Sequence, residues 1–129
     1  GIVPPVFSQS QTNHWGPDMN EHKCDDEIRV KEITYPGPEK RCKKNNTFIQ
    51  ANEADIKAVC GTGGTPQRNN LFMSNQPFPV VKCTLQSGKR HPNCKYGKGK
   101  KSTRYIVLKC EEGLTLFTKL ITTLLYFNF

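Results

Sequence analysis

The sequence predicts an α+β fold in which three short helices pack on an antiparallel sheet held by three disulfides. Three observations carry this. Helix signals fall in the first half of the chain and strand signals in the second. Six cysteines are spread along the chain with no Cys-x-x-Cys pair, which favours disulfides over a zinc site. The 129 residues fit one domain, spanning residues 1–129, whose modest core gains from covalent staples.

The first helix is short and ends near His14, within a mostly polar segment that contains Pro4 and Pro5. A second runs over 18–30. Pro17 and Asp18 suit its first turn, and Met19, Cys24 and Ile28 share its inner face. Tyr35-Pro36-Gly37-Pro38 is a turn, and Thr47-Phe48-Ile49 a short strand. The third helix covers 52–59, with Ile56 and Val59 inward and Gly61 as its stop. Residues 61–76, rich in Gly, Asn and Gln, read as one long loop. A strand follows over 80–85, Ser87-Gly88 turns the chain, and 95–101 is a basic loop. Residues 104–110 alternate as a single strand, with Ile106, Leu108 and Cys110 on one face and Tyr105, Val107 and Lys109 on the other. The apolar-rich run 114–129 is too short to span a bilayer and reads as a buried strand with an unusual tail, so no stable membrane insertion is expected. The opening at Gly1 reads as a processed terminus of a secreted, extracellular protein.

Nineteen Lys and Arg against eleven Asp and Glu give a formal charge of +8, which favours polyanionic partners. Lys95, Lys98, Lys100, Lys101 and Arg104 form one concentrated positive patch. It suits RNA phosphates, heparan-type glycans or a bacterial surface. Lys31, Lys40, Arg41 and Lys44 form a second basic group, apart from the first in sequence, and Lys89 and Arg90 sit near the first.

The segment Cys42-Lys43-Lys44-Asn45-Asn46-Thr47-Phe48 matches the signature Cys-Lys-x-x-Asn-Thr-Phe. With the six-cysteine order, His14 upstream of the first cysteine, and Arg90-His91-Pro92-Asn93-Cys94, the chain resembles the ribonuclease A superfamily. The likeness is to its six-cysteine angiogenin-like branch, which includes fish ribonucleases, and it covers about 13–113. It implies a bent antiparallel sheet and the pairs Cys24–Cys83, Cys42–Cys94 and Cys60–Cys110. The extra disulfide of pancreatic-type members is absent, because 61–76 holds no cysteine.

Members of this family cleave RNA without a metal or other cofactor. A base takes the 2′-hydroxyl proton, an acid protonates the leaving 5′-oxygen, and a cation stabilises the phosphoryl oxygens. The resemblance places the base at His14, the cation at Lys43, and a phosphate-holding amide at Asn13. It places pyrimidine recognition at Thr47, with Asn46 beside it. The second histidine is missing. Aligning Cys110 and Gly113 puts Phe117 at its position, and no histidine follows His91. Phenylalanine neither gives nor takes a proton, and losing one general acid costs roughly 10²–10⁴ in rate. Endonucleolytic cleavage after pyrimidines is therefore expected to be very weak or absent. His22 and His91 read as surface and turn residues. Asn45-Asn46-Thr47 also fits a glycosylation sequon, but the signature already accounts for two of its residues. A second function class is a non-catalytic antimicrobial or angiogenic effector, a monomer acting through its basic surface on a cell-surface receptor or bacterial envelope.

Overall fold

A computed structural model describes residues 15–112 and 118–121, with the backbone alone for 111–112 and 118–121. The predicted helix ending near His14 lies outside the described residues. Among the described residues two helices, α1 (Cys24–Val30) and α2 (Glu53–Ala58), accompany seven strands. These are β1 (Asn45–Ile49), β2 (Gly64–Pro66), β3 (Leu71–Ser74), β4 (Phe78–Thr84), β5 (Lys100–Arg104), β6 (Val107–Glu112) and β7 (Thr118–Ile121). They form a three-stranded sheet ordered β1-β4-β5 and a four-stranded sheet ordered β2-β3-β6-β7, with every neighbouring pair antiparallel.

α1 begins later than the sequence predicted. The Asn20 side chain accepts from the His22 N–H at 2.8 Å, and Met19 and Lys23 close tight turns onto Gly16 and Asn20. This local hydrogen bonding competes with helix, so 18–23 turns instead of coiling. α2 matches its prediction closely. Asn52 caps it by accepting from the Asp55 N–H at 2.8 Å, and Glu53–Lys57 pair one turn apart at 3.2 Å.

The loop predicted over 61–76 is largely a hairpin. Pro66 faces Phe72 across β2 and β3, and Asn69 and Asn70 both take φ of 61° at its tip. Asparagine tolerates that left-handed region, which the mirror-image hairpin turns require. The single strand predicted over 104–110 breaks at Tyr105 and Ile106. β5 ends in one sheet and β6 begins in the other, and Ser74 fastens the crossing. Its N–H donates to the Ile106 carbonyl at 2.9 Å and its hydroxyl accepts from the Ile106 N–H at 3.1 Å. The predicted alternation fails here because Ile106, Val107, Leu108, Lys109 and Cys110 are all buried.

Two cores result. One gathers Met19, Cys24, Ile28, Phe48, Val81 and Tyr96 between α1 and one face of the first sheet. The other gathers Ile49, Ile56, Val59, Val80, Ile106 and Leu108 between α2 and both sheets. Phe48 and Ile49 are neighbours in β1 and serve opposite cores, as a two-residue side-chain period demands. Disulfides Cys24–Cys83, Cys42–Cys94 and Cys60–Cys110 link residues 59, 52 and 50 apart. Loops of this length correspond to about 4 kcal/mol each in the chain-entropy account. Gly99 packs onto the first of them. A Cβ there would lie 2.7 Å from the Cys24 sulfur and 2.6 Å from Val81, so only glycine fits. At the predicted Ser87-Gly88 turn, Gly88 takes φ of 100°.

Candidate functional site

β1 positions the signature residues. The Cys42–Cys94 disulfide fixes its approach, and the Cys42 N–H donates to the Lys89 carbonyl at 2.9 Å. Lys43 is half-buried at the head of the strand. Its carbonyl accepts from the Tyr96 hydroxyl at 2.6 Å, and the Tyr96 N–H donates to Asp25 Oδ1 at 2.5 Å. α1, the 94–97 segment and β1 are therefore locked together beneath Lys43. Burial pushes the Tyr96 phenol up to about 12, against smaller opposing pulls from the Asn46 amide and the Lys43 carbonyl. The phenol thus remains a hydrogen-bond donor across the physiological range.

Desolvation lowers the Lys43 ammonium below the ordinary lysine value. Among the described residues no ion pair or side-chain hydrogen bond engages it. A part-buried cation without an acid is a costly arrangement that a bound anion relieves.

Register then separates the neighbours. Thr47 pairs with Lys82 of β4, and Lys82 with Lys100 of β5. Residues directly opposite across a sheet share a face, so Thr47, Lys82 and Lys100 form one row. Asn45 and Thr84 form the next, tied by the Thr84 hydroxyl donating to Asn45 Oδ1 at 3.2 Å. Asn46 falls on the opposite face, opposite Cys83 and beside Phe48. It is 3% exposed, and both its amide atoms lack a hydrogen bond of acceptable geometry although the Tyr96 phenol is close. The structure therefore does not put Asn46 and Thr47 in one cleft: Asn46 joins the frame under Lys43. A pocket of about 240 Å³ also lies on that opposite face, with Trp15, Met19, Phe48 and the Glu27–Lys31 pair in its walls.

His14, Asn13 and Phe117 lie outside the described residues. Trp15, which follows His14 in sequence, bridges to Ile49, and the Gly16 N–H donates to the Ile49 carbonyl at 3.0 Å. The predicted basic patch is divided. Lys100 and Arg104 share the Thr47 face of β5, and Lys101 projects from the other, while Lys95 bridges to Ser87 and Lys98 is exposed before the strand. Lys100 and Lys101 belong to a strand, where the sequence predicted a loop. Among the described residues no group of three or more His, Cys, Asp and Glu is placed to hold a metal. Sequence reasoning missed Tyr96, which lay inside a run read as a basic loop. Its only signal was an aromatic two residues past a disulfide cysteine.

A family profile described as pancreatic ribonuclease matches residues 5–119. The chain belongs to the pancreatic ribonuclease family. Ribonuclease-like 3 of Danio rerio is 48% identical over 102 residues, covering 78% of this chain and 68% of that protein. Angiogenin of Mus musculus is 32% identical over 123 residues, covering 88% and 81%. The X-ray structure of zebrafish RNase5 is 46% identical, with a TM-score of 0.76 over 97% of this chain and 98% of that one. These relatives place this pancreatic-type ribonuclease in the angiogenin-like and fish branch, whose fold its sheets and three disulfides share. RNA is the ligand class of the family.

Proposed function

We propose that this ribonuclease binds single RNA strands at a basic cleft centred on Lys43 and Thr47, and that its metal-free cleavage after pyrimidines is very weak or absent. The observation that carries this reading is the half-buried ammonium of Lys43, which has no acid partner among the described residues and is anchored through its own carbonyl by Tyr96. Such a group suits the negative charge that grows on a phosphoryl oxygen during transesterification. Thr47 stands on the next strand residues, and among the described residues no hydrogen bond engages its hydroxyl, which leaves it for a pyrimidine edge. His14 is the base in this proposal and Asn13 a phosphate-holding amide. The Trp15–Ile49 bridge supports it by bringing the chain just after His14 to the strand that carries Thr47. Phe117, at the second histidine's position, is the reason for the low rate. Secretion into an oxidising compartment accords with three disulfides.

The test is hydrolysis of a fluorogenic pyrimidine oligonucleotide by the purified chain and by Lys43→Ala, together with binding of cytidine 3′-phosphate. Binding that Lys43→Ala weakens at least tenfold, with little turnover, is the expected result. Equal binding by both proteins would sink the cleft, and brisk turnover would sink the assignment of Phe117.

A second reading is favoured by the exposure of Lys98, Lys100 and Lys101: an effector that acts by charge on anionic glycans or bacterial surfaces. Bacterial killing that survives His14→Ala and is lost on neutralising those three lysines would select it.

A further inference from the structure

The structure joins two basic groups that the sequence holds far apart. Arg41 and Arg90 form an antiparallel bridge, so their side chains leave one face of a short two-stranded ribbon directly opposite each other. The Cys42 N–H donates to the Lys89 carbonyl and the His91 N–H to the Lys40 carbonyl, both at 2.9 Å, and the Cys42–Cys94 disulfide clamps the ribbon. Lys40, Arg41, Lys44, Lys89 and Arg90 are all exposed. The acids nearby are Glu32 and Glu39. Glu32 already faces both Lys40 at 3.8 Å and His91 at 3.4 Å. Among the described residues neither arginine has an ion pair. Like charges directly opposite on paired strands destabilise, so an unpaired Arg–Arg rung is a cost that an anionic ligand removes.

Beside this rung stands an aromatic ring. Tyr35 is 40% exposed, one of two exposed large apolar side chains among the described residues. Its N–H donates to the Arg41 carbonyl at 2.9 Å, and its hydroxyl accepts from the Lys44 N–H at 3.3 Å. The ring is thus held at both ends, next to Arg41 and one residue beyond Lys43. A positive track with a fixed exposed ring is the chemistry that holds a single nucleic-acid strand: phosphates on guanidinium groups, a base on the ring. A sulfated glycan has no base to stack and would use the charges alone.

We propose that Arg41, Arg90 and Tyr35 form a second binding site for single-stranded RNA, outside the Lys43 cleft and engaged by strands long enough to pass beyond it. The site rests on the reading of Lys43 as an RNA-binding cation, and its test separates the two. Binding of cytidine 3′-phosphate, and of a 2′-O-methyl pyrimidine oligomer of about twelve nucleotides that cannot be cleaved, is measured for the wild type, the double variant Arg41→Gln/Arg90→Gln, and Tyr35→Leu. A heparin fragment serves as the charge-only control. The double variant is expected to weaken the oligomer about tenfold and to lower its salt slope by about 1.4, the value for two lost single-strand phosphate contacts. Tyr35→Leu is expected to weaken the oligomer about fivefold or more and leave heparin unchanged. Cytidine 3′-phosphate should bind all three proteins alike. Removing two repelling charges from exposed positions does not lower the melting temperature, so a folded double variant is expected. An unchanged oligomer affinity and salt slope in the double variant would overturn the site, as would equal responses of RNA and heparin to Tyr35→Leu. Failure of the mononucleotide to bind even the wild type would instead overturn the Lys43 cleft, and the oligomer comparison would still decide the ribbon.

Discussion

The Tyr96 hydroxyl donates to the Lys43 carbonyl at 2.6 Å, across 53 residues of sequence. Tyr96 is 1% exposed and also donates its N–H to Asp25 of α1. One buried side chain therefore fixes the cation at the centre of the proposed cleft. Tyr96→Phe keeps the ring and orphans the Lys43 carbonyl. A destabilisation of about 1–3 kcal/mol is expected in denaturant melts, along with weaker cytidine 3′-phosphate binding. Tyr35→Phe is the control: its hydroxyl bonds an exposed N–H at 3.3 Å, and a loss within about 0.5 kcal/mol is expected. Equal losses from both substitutions would show that the buried bond does not hold the site.

The same phenol sets an alkaline limit. Burial raises the folded pKa from 10.0 to about 12, so the unfolded chain gives up this proton first. A raised folded pKa means stability that is intact below pH 10 and drains as pH climbs toward about 12. Melts taken across that window should show a stability loss that is smaller in Tyr96→Phe. An identical alkaline profile in the variant would refute the assignment.

Lys43 titrates in the opposite sense. Desolvation lowers its folded pKa below the ordinary lysine value of 10.5, so the charged form is what folding disfavours. The associated cost is full at neutral pH and disappears as pH rises above the lowered value toward 10.5. Resolved ¹³Cε NMR titration should find Lys43 turning over below the ordinary lysine value. A Lys43 resonance that titrates at the ordinary lysine value would contradict the desolvated geometry. An anion in the cleft should shift its midpoint upward.

Phe117→His tests whether a missing proton donor is what limits turnover. Restoring one acid is expected to raise hydrolysis of a pyrimidine dinucleotide by roughly 10²–10⁴, and the gain should vanish in the double variant with Lys43→Ala. A rise below twofold in a folded variant would place the defect elsewhere.

Ser74→Ala probes the crossing between sheets. The Ser74 hydroxyl accepts from the Ile106 N–H in a fully buried position, so its loss strands a donor at a cost of about 1–3 kcal/mol. Thermal melts would show it. A neutral substitution would mean that the backbone bond from Ser74 to Ile106 suffices to hold the crossing.

Much of this was legible in the chain. The helix signal over 52–59 located α2, the strand signal at Thr47-Phe48-Ile49 located β1, and the six cysteines carried the family's pairing. Local chemistry decides such features, since a cap or a strand needs only its own few residues. The α1 start was misread because the Asn20 turn and the Pro17 helix signal draw on the same residue types. The 104–110 strand was misread because period-two alternation assumes one wet face, and Ile106 to Cys110 has none.

What the sequence determined by itself was the family and the staples, and it put Lys43 forward as the candidate cation. What tertiary structure alone decided was which groups stand side by side: Tyr96 under Lys43, Thr47 with Lys82, Asn46 on the far face, and Arg41 against Arg90. The reason is that residue type and spacing govern a turn or a strand, whereas cross-strand register and disulfide closure bring together positions about fifty residues apart. No local pattern records that contact, because its energy exists only once both segments are folded.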